Sequence, residues 1–481
     1  MGAKNDPADL LRATIIGTEI TTDHVDYVIQ CSYYLQENSS WIVRRRYRDF
    51  HRLNSDLEPF GFNLGLPPKK YFGNKTPAFV EERKAQLQEF LNNITIHPLI
   101  YCTATVSQFL QIAEESLKEY ENHVLVSARN KTKYRLIRLW HGCSWRFYKL
   151  LASLSNVTQN DDSEAFVLAW MPFGPDSCFD GTRKCQAVLN DSLKFLNGLQ
   201  FSYLHRSVDS YVDDHGIGVI SKRLRQENLR DRLYNSKPEN TFIRKYSMNR
   251  DCYVINKLDA IFIARQMLEV ISILNEIGYP YFNFHCGNLA ILDDGCQILD
   301  LEFALAGHSA YNRKSLICSK AKTLGDMRLF SFAHCLYEMV TGTIVFPDHD
   351  LAGALDCCPV EIYDILINIL APKIERMPTV TEVINLPVFE SIQIKPFQRQ
   401  KVLIPNHVKD HFQKVTQKIE QRLNEDREKY LLNVQQDQIN RYLSSEEEKT
   451  RRRTIIQRYL LNNINGEKQD DRQSTANVIQ T

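Results

Sequence analysis

The chain has 481 residues, of which 43% are hydrophobic and 24% are charged, and its formal net charge is +1. This length predicts two to four domains, and the balanced charge excludes a bulk field for nucleic acid, so any anion must be bound by a local patch. No run approaches the roughly 18 apolar residues of a membrane span, and residues 1–11 lack the apolar core of a signal peptide. We therefore expect a cytoplasmic protein that contacts membranes only peripherally.

The first 110 or so residues predict a small sheet followed by helices. Segments rich in β-branched and aromatic residues predict strands at 13–20, 26–34 and 41–47. Helical spacing of apolar residues predicts helices at 49–57, 78–95 and 104–120. Between the first two helices, Pro67–Pro68 stiffens the loop 64–77 and holds out the lysines that follow.

A basic cluster ends the third predicted strand. The stretch 41–50 reads WIVRRRYRDF, so four arginines surround one tyrosine after an apolar run. Guanidinium groups bind phosphates through charge-assisted hydrogen bonds, and a planar ring beside them suits a ligand with one apolar face, such as an inositol phosphate. The alternative is that the arginines form a solvated face and the tyrosine packs in the sheet.

Three segments of this region resemble the phox-homology (PX) domain. They are RRYRDF at 45–50, LPPK at 66–69 and EERK at 81–84, in the order and spacing of that family. The resemblance covers residues 10–118. It implies an α+β module, with a small antiparallel sheet plus helices, that binds phosphoinositides, most often phosphatidylinositol 3-phosphate on endosomes.

The resemblance also implies roles for individual side chains. Arg46 corresponds to the ligand of the 3-phosphate, and Tyr47 to the residue whose ring lies against the inositol. Lys69 corresponds to the loop lysine that faces the 1-phosphate, with Lys70 as a substitute. Arg83 corresponds to the arginine that binds the 4- and 5-hydroxyls.

Further residues are expected around this pocket. Arg45 is included among the lipid-binding residues, whereas Arg44 and Arg48 are expected at the rim, where they attract an anionic leaflet. Tyr71 and Phe72 directly follow the loop lysines. Either they insert into the bilayer interface or they pack beneath the loop, and both interpretations stay open.

A polar linker at 121–135 is predicted to lead into a larger domain at 136–393. Strands come first and long helices follow, with helices expected at 258–277, 326–341 and 359–370. Two segments, YFNFHCGNL at 281–289 and ILDLE at 298–302, resemble the catalytic loop and the metal-binding segment of protein kinases. The resemblance implies a bilobal protein-kinase-like fold, so that the whole chain is expected to be a multidomain α+β protein.

This kinase-like sequence departs from the pattern that phosphoryl transfer needs. Asn283 stands at the position of the catalytic aspartate, and an amide cannot accept the proton of a substrate hydroxyl. His285 replaces the lysine two residues on, Trp170 is placed where the phosphate-binding strand lysine belongs, and Glu302 replaces the glycine of the DFG triplet. We therefore predict a pseudokinase that requires no cofactor.

Two residues leave nucleotide binding open. Asn288 and Asp300 match the two Mg²⁺-binding positions of the kinase family, so weak Mg-ATP binding is one interpretation. The other is that both are structural, with Asn288 bonded within its loop and Asp300 at a turn. We favour the structural interpretation, because one metal clamp without the phosphate-binding lysine is weak.

The C-terminal part predicts charged amphipathic helices at 405–462 and a polar, disordered tail at 466–481. Apolar residues recur at steps of three or four at Val408, Phe412, Val415, Ile419 and Leu423. This stripe either docks on the kinase-like domain, which we favour, or binds a partner protein.

The order of these parts resembles the PX domain-containing protein kinase-like family, relatives of the Slowpoke-binding proteins. That resemblance implies a scaffold on endosomal membranes, recruited through phosphatidylinositol 3-phosphate, whose kinase-like domain binds unidentified membrane-protein cargo or sorting proteins in receptor or channel trafficking. One alternative is an active atypical Ser/Thr kinase targeted to membranes. A weaker alternative is that the first domain binds protein without lipid.

Overall fold

The computed structural model describes residues 11–33, 40–70, 76–96, 98–101, 103–112, 114–129, 133–146, 148–157, 165–224, 228–292, 295–343, 351–371, 376–395, 403–444 and 450. The chain divides into two compact units, Met1–Glu425 and Asp426–Thr481. Within the described ranges, no helix is both long enough and apolar enough to cross a bilayer.

The N-terminal part is a three-stranded antiparallel sheet covered by helices. Strands β1 (Leu11–Ile20), β2 (Val25–Tyr33) and β3 (Ser40–Arg46) pair in that order, and the next elements are α1 (Tyr47–Leu57), α2 (Pro77–Ile96), α3 (Pro98–Tyr101) and α4 (Ala104–Leu110). The ring of Phe50 joins these layers, since its centroid is 5.8 Å from that of Phe90 and 5.0 Å from that of Phe109. The three predicted strands and the first two predicted helices agree with these bounds to within two residues.

A helix replaces the predicted linker. Instead of one helix at 104–120 and a polar connection at 121–135, α4 ends at Leu110 and a further helix, α5, spans Glu114–Arg129. Val124 and Ala128 of α5 are fully buried in a cluster with residues of the next sheet. The linker prediction is wrong because two apolar positions four residues apart are enough to dock a helix whose other faces are polar.

A five-stranded antiparallel sheet follows α5. Its strands are β4 (Tyr134–Trp140), β5 (Leu150–Asn156), β6 (Phe166–Pro172), β7 (Asp209–Val212) and β8 (Gly216–Lys222), in the spatial order β4-β5-β6-β8-β7. Helix α6 (Arg183–Gly198) lies between β6 and β7 in the chain. Its first turn is capped by Thr182, whose side chain accepts a hydrogen bond from the Cys185 N–H.

The remainder of the first unit is mainly helical. Its elements are α7 (Leu229–Leu233), α8 (Phe242–Lys245), α9 (Lys257–Ile277), the hairpin of β9 (Leu289–Leu292) and β10 (Gly295–Ile298), α10 (Arg313–Cys318), α11 (Leu324–Thr341), α12 (Leu351–Leu355), α13 (Val360–Leu370), α14 (Val380–Ile384) and α15 (Pro387–Glu390). Helices α9 and α11 are apolar on most faces and form the centre of the largest core. The three long helices predicted here agree with α9, α11 and α13 to within two residues.

The last helix, α16 (Asn406–Ser444), buries its apolar stripe in the first unit. The five residues at steps of three or four are all buried: Val408, Phe412, Val415, Ile419 and Leu423. The Phe412 ring meets that of Tyr279 edge-on, with centroids 5.0 Å apart, and Arg422 donates a hydrogen bond to the Asp176 carboxylate over 3.0 Å. The structure thus supports docking for this stretch, while the predictions for 451–462 and for the tail lie outside the described residues.

Removing the ring at the centre of this contact should destabilise the protein. We expect Phe412→Ala to lower the free energy of unfolding by about 3–5 kcal/mol, because the ring is fully buried between helices. Leu432→Ala is the matched control, since Leu432 lies on the same helix and is 65% exposed. Thermal unfolding of the full chain compares the two variants, and equal melting temperatures would contradict the docking of this face.

Candidate functional sites

The guanidinium group of Arg83, on α2, lies between two aromatic rings. Its central carbon is 4.3 Å from the centroid of the Tyr47 ring and 4.3 Å from that of Phe79. One terminal nitrogen donates to the Pro68 carbonyl over 3.1 Å. The residue is only 5% exposed, and its Nε is buried without a hydrogen-bond partner among the described residues. Because an unsatisfied buried donor is unfavourable, this Nε is suited to bind an acceptor on a ligand.

The proline loop is held beside this arginine by its carbonyl groups. The Tyr47 hydroxyl donates to the Pro67 carbonyl over 2.6 Å, and Arg83 holds the carbonyl of the next residue. Two prolines restrict the backbone here, so the exposed lysines that follow are presented from a fixed base. The Lys70 ammonium lies 4.2 Å from the centroid of the Phe79 ring. The Phe79 ring thus lies beside both Lys70 and Arg83, and Arg83 also lies beside the Tyr47 ring.

Arg46 is placed at the end of β3 and next to Tyr47 in the chain. Its side chain is 43% exposed, and its Nε is 4.0 Å from the Asp49 carboxylate. The same carboxylate accepts a hydrogen bond from the Arg46 backbone N–H over 3.0 Å, which caps the start of α1. An exposed pair at this distance contributes little, so a phosphate can compete with Asp49 for the guanidinium group.

Arg45 has a structural contact instead of the predicted place in the lipid pocket. Successive side chains of a strand point to opposite faces, and Arg45 therefore lies on the side of α4. It donates to the carbonyls of Phe109 and Gln108 over 2.8 and 3.2 Å. Burial lowers the pKa of this guanidinium group. Its neighbour Arg44 instead pairs with Glu19 at the surface.

The site contains an aromatic residue that the motifs of the sequence do not include. The Phe79 ring lies beside both the Arg83 guanidinium group and the Lys70 ammonium group. The available signal was its spacing, because residues four apart share one face of a helix. Tyr71 and Phe72 lie outside the described residues.

A second candidate site is the cleft between the five-stranded sheet and the helical region. Its cavity volume is about 240 Å³. The sheet contributes mainly apolar side chains, and the loops of the helical region contribute polar ones. Those from the sheet include Leu151, Val167, Ala169, Met171 and Val219, together with the polar Ser221 and Lys222 at the end of β8, and those from the loops include Asn283, Asn288 and Asp300.

Trp170 does not face this cleft, which corrects the predicted alignment by one residue. Ala169 and Met171 line the cavity, whereas Trp170 is fully buried on the opposite face, in the cluster that contains α5. Its indole N–H donates to the Asp213 carboxylate over 3.3 Å. Because side chains alternate along a strand, Met171 takes the inward position two residues after the alanine. Strand β6 therefore contributes no cation to the cleft from either position.

A lysine from another strand reaches the cleft. Lys149 directly precedes β5, and its ammonium group forms an ion pair with the Asp300 carboxylate. The two side chains are 12% and 26% exposed. Asp300 has φ of 61°, in the left-handed region that Asp adopts more readily than most residues. The kinase pattern predicts the phosphate-binding cation on β6, so the sequence does not indicate this role for Lys149.

The amides of the catalytic-loop segment are bonded within the protein. The Asn283 Oδ1 accepts from the Tyr311 backbone N–H over 2.8 Å. The Asn288 Nδ2 donates to the Tyr281 hydroxyl and to the Asn283 carbonyl, each over 3.3 Å. Both amides therefore hold the loop in place, and neither can act as a general base.

His285 is a buried neutral group in this loop. Its Nδ1 accepts from the Gly287 N–H over 3.1 Å. Burial lowers the pKa of His285 well below its ordinary value, and the charges of Arg230, Arg146 and Lys149 lower it further. The imidazole thus carries no charge at neutral pH and does not replace the lysine of an active kinase.

Glu302 stands where a kinase has the glycine of the DFG triplet, and its side chain is buried. Burial raises the pKa of Glu302 to about 7, and the charge of Asp300 adds to that effect. Within the described ranges, no group of three or more His, Cys, Asp or Glu side chains is arranged to hold a metal ion. The pairing of Asp300 with an ammonium group opposes Mg²⁺ at that carboxylate, whereas the hydrogen bonds of Asn288 use its amide nitrogen and leave its amide oxygen available.

Comparisons with known proteins agree with both parts of the fold. The family model "PX domain" matches residues 33–113. The mouse (Mus musculus) "PX domain-containing protein kinase-like protein" is 26% identical over 422 residues, which cover 86% of this chain and 71% of that protein. Human (Homo sapiens) sorting nexin-16 is 34% identical over 132 residues, covering 26% of this chain and 38% of that protein.

Two further matches cover smaller parts of the chain. The "Probable inactive serine/threonine-protein kinase slob1" of Dictyostelium discoideum is 25% identical over 221 residues, or 41% of this chain and 37% of that protein. A crystal structure of Rad53 residues 1–466 with AMP-PNP has a TM-score of 0.40 at 15% identity and covers 56% of this chain and 70% of that chain. The chain thus contains an N-terminal PX domain, and over most of its length it is similar to a PX domain-containing protein kinase-like protein.

Proposed function

We propose that this protein is a phosphoinositide-binding adaptor that is recruited to endosomal membranes through phosphatidylinositol 3-phosphate. The observation that carries the proposal is the Arg83 guanidinium group, held between two rings with a buried, unpartnered Nε. The match of its first part to a protein named as a sorting nexin supports a role in the trafficking of receptors or channels. Its kinase-like region then binds membrane-protein cargo or sorting proteins.

The contacts around Arg83 suit an inositol phosphate in three respects. The arginine is fixed in its plane by stacking, and a planar guanidinium group recognises neighbouring hydroxyls by direction. The exposed Arg46 supplies a charge-assisted hydrogen bond to the 3-phosphate, the group that distinguishes this lipid from other phosphoinositides. Lys69 and Lys70 directly follow the proline pair. They supply positive charge near the 1-phosphate, which joins the headgroup to the lipid.

The kinase-like region is proposed to be catalytically impaired. Asn283 is bonded through its amide oxygen to the Tyr311 N–H, and no carboxylate replaces it as the base at that position. Strand β6 presents Met171 where a lysine would hold phosphates. The relative whose printed name calls it a probable inactive kinase supports this proposal. No contact in the described residues favours the alternative of an active atypical kinase.

Loss of the Arg46 guanidinium group should abolish recognition of the 3-phosphate. We expect Arg46→Ala to weaken binding to vesicles containing phosphatidylinositol 3-phosphate by about tenfold or more, because a hydrogen bond to a charged group contributes about 1.5–3 kcal/mol. Flotation of the full chain with phosphatidylcholine vesicles, with and without this lipid, measures the effect.

The matched control for that experiment is Arg44→Ala. Arg44 lies on the same strand, is exposed and pairs with Glu19, so its loss removes one positive charge without touching the proposed pocket. Vesicles with phosphatidylserine, at two salt concentrations, separate general attraction from recognition in the pocket. Equal losses in the two variants would contradict a specific role for Arg46.

Phosphoryl transfer should be absent even when the lost base is restored. We expect the wild-type chain and Asn283→Asp to incorporate no more label from radioactive ATP, into generic substrates or into themselves, than Asp300→Ala does. An aspartate can keep the bond to the Tyr311 N–H, so the variant should fold, but β6 still has no lysine for the phosphates. Incorporation that depends on Asp300 would instead favour the atypical kinase.

A further inference from the structure

The aspartate that would bind metal in a kinase is bonded to a cation of this chain itself. The Lys149 ammonium group donates to the Asp300 carboxylate across 151 positions of sequence, and it lies 5.0 Å from the centroid of the Phe303 ring. This ring and the low exposure of the lysine restrict its movement. The Lys149 ammonium group is therefore bonded to the same carboxylate that a divalent cation would bind.

The second metal position has one ligand atom to offer, the amide oxygen of Asn288. The Asn288 amide nitrogen donates to the Tyr281 hydroxyl and to the Asn283 carbonyl, and the side chain is 6% exposed. Mg²⁺ requires near-octahedral oxygen coordination and keeps several waters. The amide oxygen of Asn288 stays available, so the hindrance to a metal ion lies at Asp300, whose carboxylate is bonded to the ammonium group.

The rest of the cleft still suits a flat ring that carries phosphate. Alternating residues of three strands form an apolar face, which includes Leu151, Val167 and Val219. Leu151 is the second residue of β5 and Lys149 directly precedes this strand, and both residues line the cleft. A ring on the apolar face would thus have its phosphates beside the ammonium group, which has three N–H donors and can bind a second anion besides Asp300.

We propose that this cleft binds a nucleoside phosphate without a divalent cation, and that Lys149 replaces both the missing lysine of β6 and the metal ion. The ammonium group bridges the Asp300 carboxylate and the phosphate of the ligand. This site is separate from the lipid pocket and adds a ligand to the kinase-like region without adding a catalytic step.

Melting temperature in the presence of a chelator tests this proposal. The full chain is heated with ATP in EDTA and, separately, with ATP and Mg²⁺. We expect a rise of about 3 °C or more in EDTA, because a ligand that binds only the folded state stabilises it. We expect no larger rise with Mg²⁺, because the metal competes with Lys149 for the phosphates. A rise that requires Mg²⁺, or no rise in either condition, overturns the proposal.

Two substitutions assign the effect to Lys149. Lys149→Met should remove the rise in EDTA, whereas Lys149→Arg should keep most of it. Lys194→Met is the matched control, since Lys194 is an exposed lysine of α6 that pairs with Asp191, and it should leave the rise unchanged. A rise that persists in a folded Lys149→Met variant overturns the proposal.

Asp300→Asn distinguishes an ammonium site from a metal site and serves if Lys149→Met does not fold. Removing the carboxylate frees the ammonium group from its internal partner, so the affinity for a fluorescent ATP analogue in EDTA should increase by about tenfold. If Asp300 bound a metal ion instead, the same substitution would abolish binding. Weaker binding of Asp300→Asn in EDTA therefore overturns the proposal, and vesicle flotation of this variant should be normal.

Discussion

A buried cation held between two aromatic rings organises the first domain. Arg83 cannot be hydrated in this position, and its stability depends on the ring faces of Tyr47 and Phe79 and on the Pro68 carbonyl. Each of these partners belongs to a different segment, namely the start of α1, the start of α2 and the loop between them. The same contact therefore closes the fold and orients the side chains that we propose for lipid binding. The Arg83 Nε–H has no acceptor among the described residues, and a ligand that accepts a hydrogen bond from it would remove this unfavourable state.

The short segment between α1 and the proline loop contacts the kinase-like region. Its Phe60 carbonyl accepts from the Met248 backbone N–H over 3.0 Å, and its Pro59 carbonyl accepts from the Asn249 side chain over 3.1 Å. Gly61 has φ of 82°, and a Cβ atom added there would lie 2.0 Å from the Asn249 side-chain oxygen. This close approach requires glycine. One short segment thus joins the two parts of the first unit and leads directly to the proline pair.

Local pattern was enough to predict most elements, because a half-buried strand and an amphipathic helix repeat their apolar residues with fixed periods. The predictions failed where an outcome depended on which face of an element was buried. Trp170 was placed in the cleft, although the alternation along β6 turns it towards α5, and Arg45 was placed in the lipid pocket although it bonds α4. The pairing of Lys149 with Asp300 joins residues distant in the chain, and no spacing rule within one segment could have predicted it. Phe79 was visible as a helical core position, but its role as a ring beside two cations depends on how the proline loop folds back.

The Lys149–Asp300 pair also explains how a kinase-like fold can persist after its catalytic residues have been replaced. In a metal-dependent cleft, a partly buried carboxylate without its cation would be unfavourable, and removing one partner of a buried ion pair typically costs about 3–5 kcal/mol. Here the compensating charge is covalently part of the chain, so the sheet and the helical region are joined at the cleft whether or not a ligand is present. A cleft closed by an internal ion pair suits the adaptor role that we propose, and the ammonium group keeps N–H donors for a second anion.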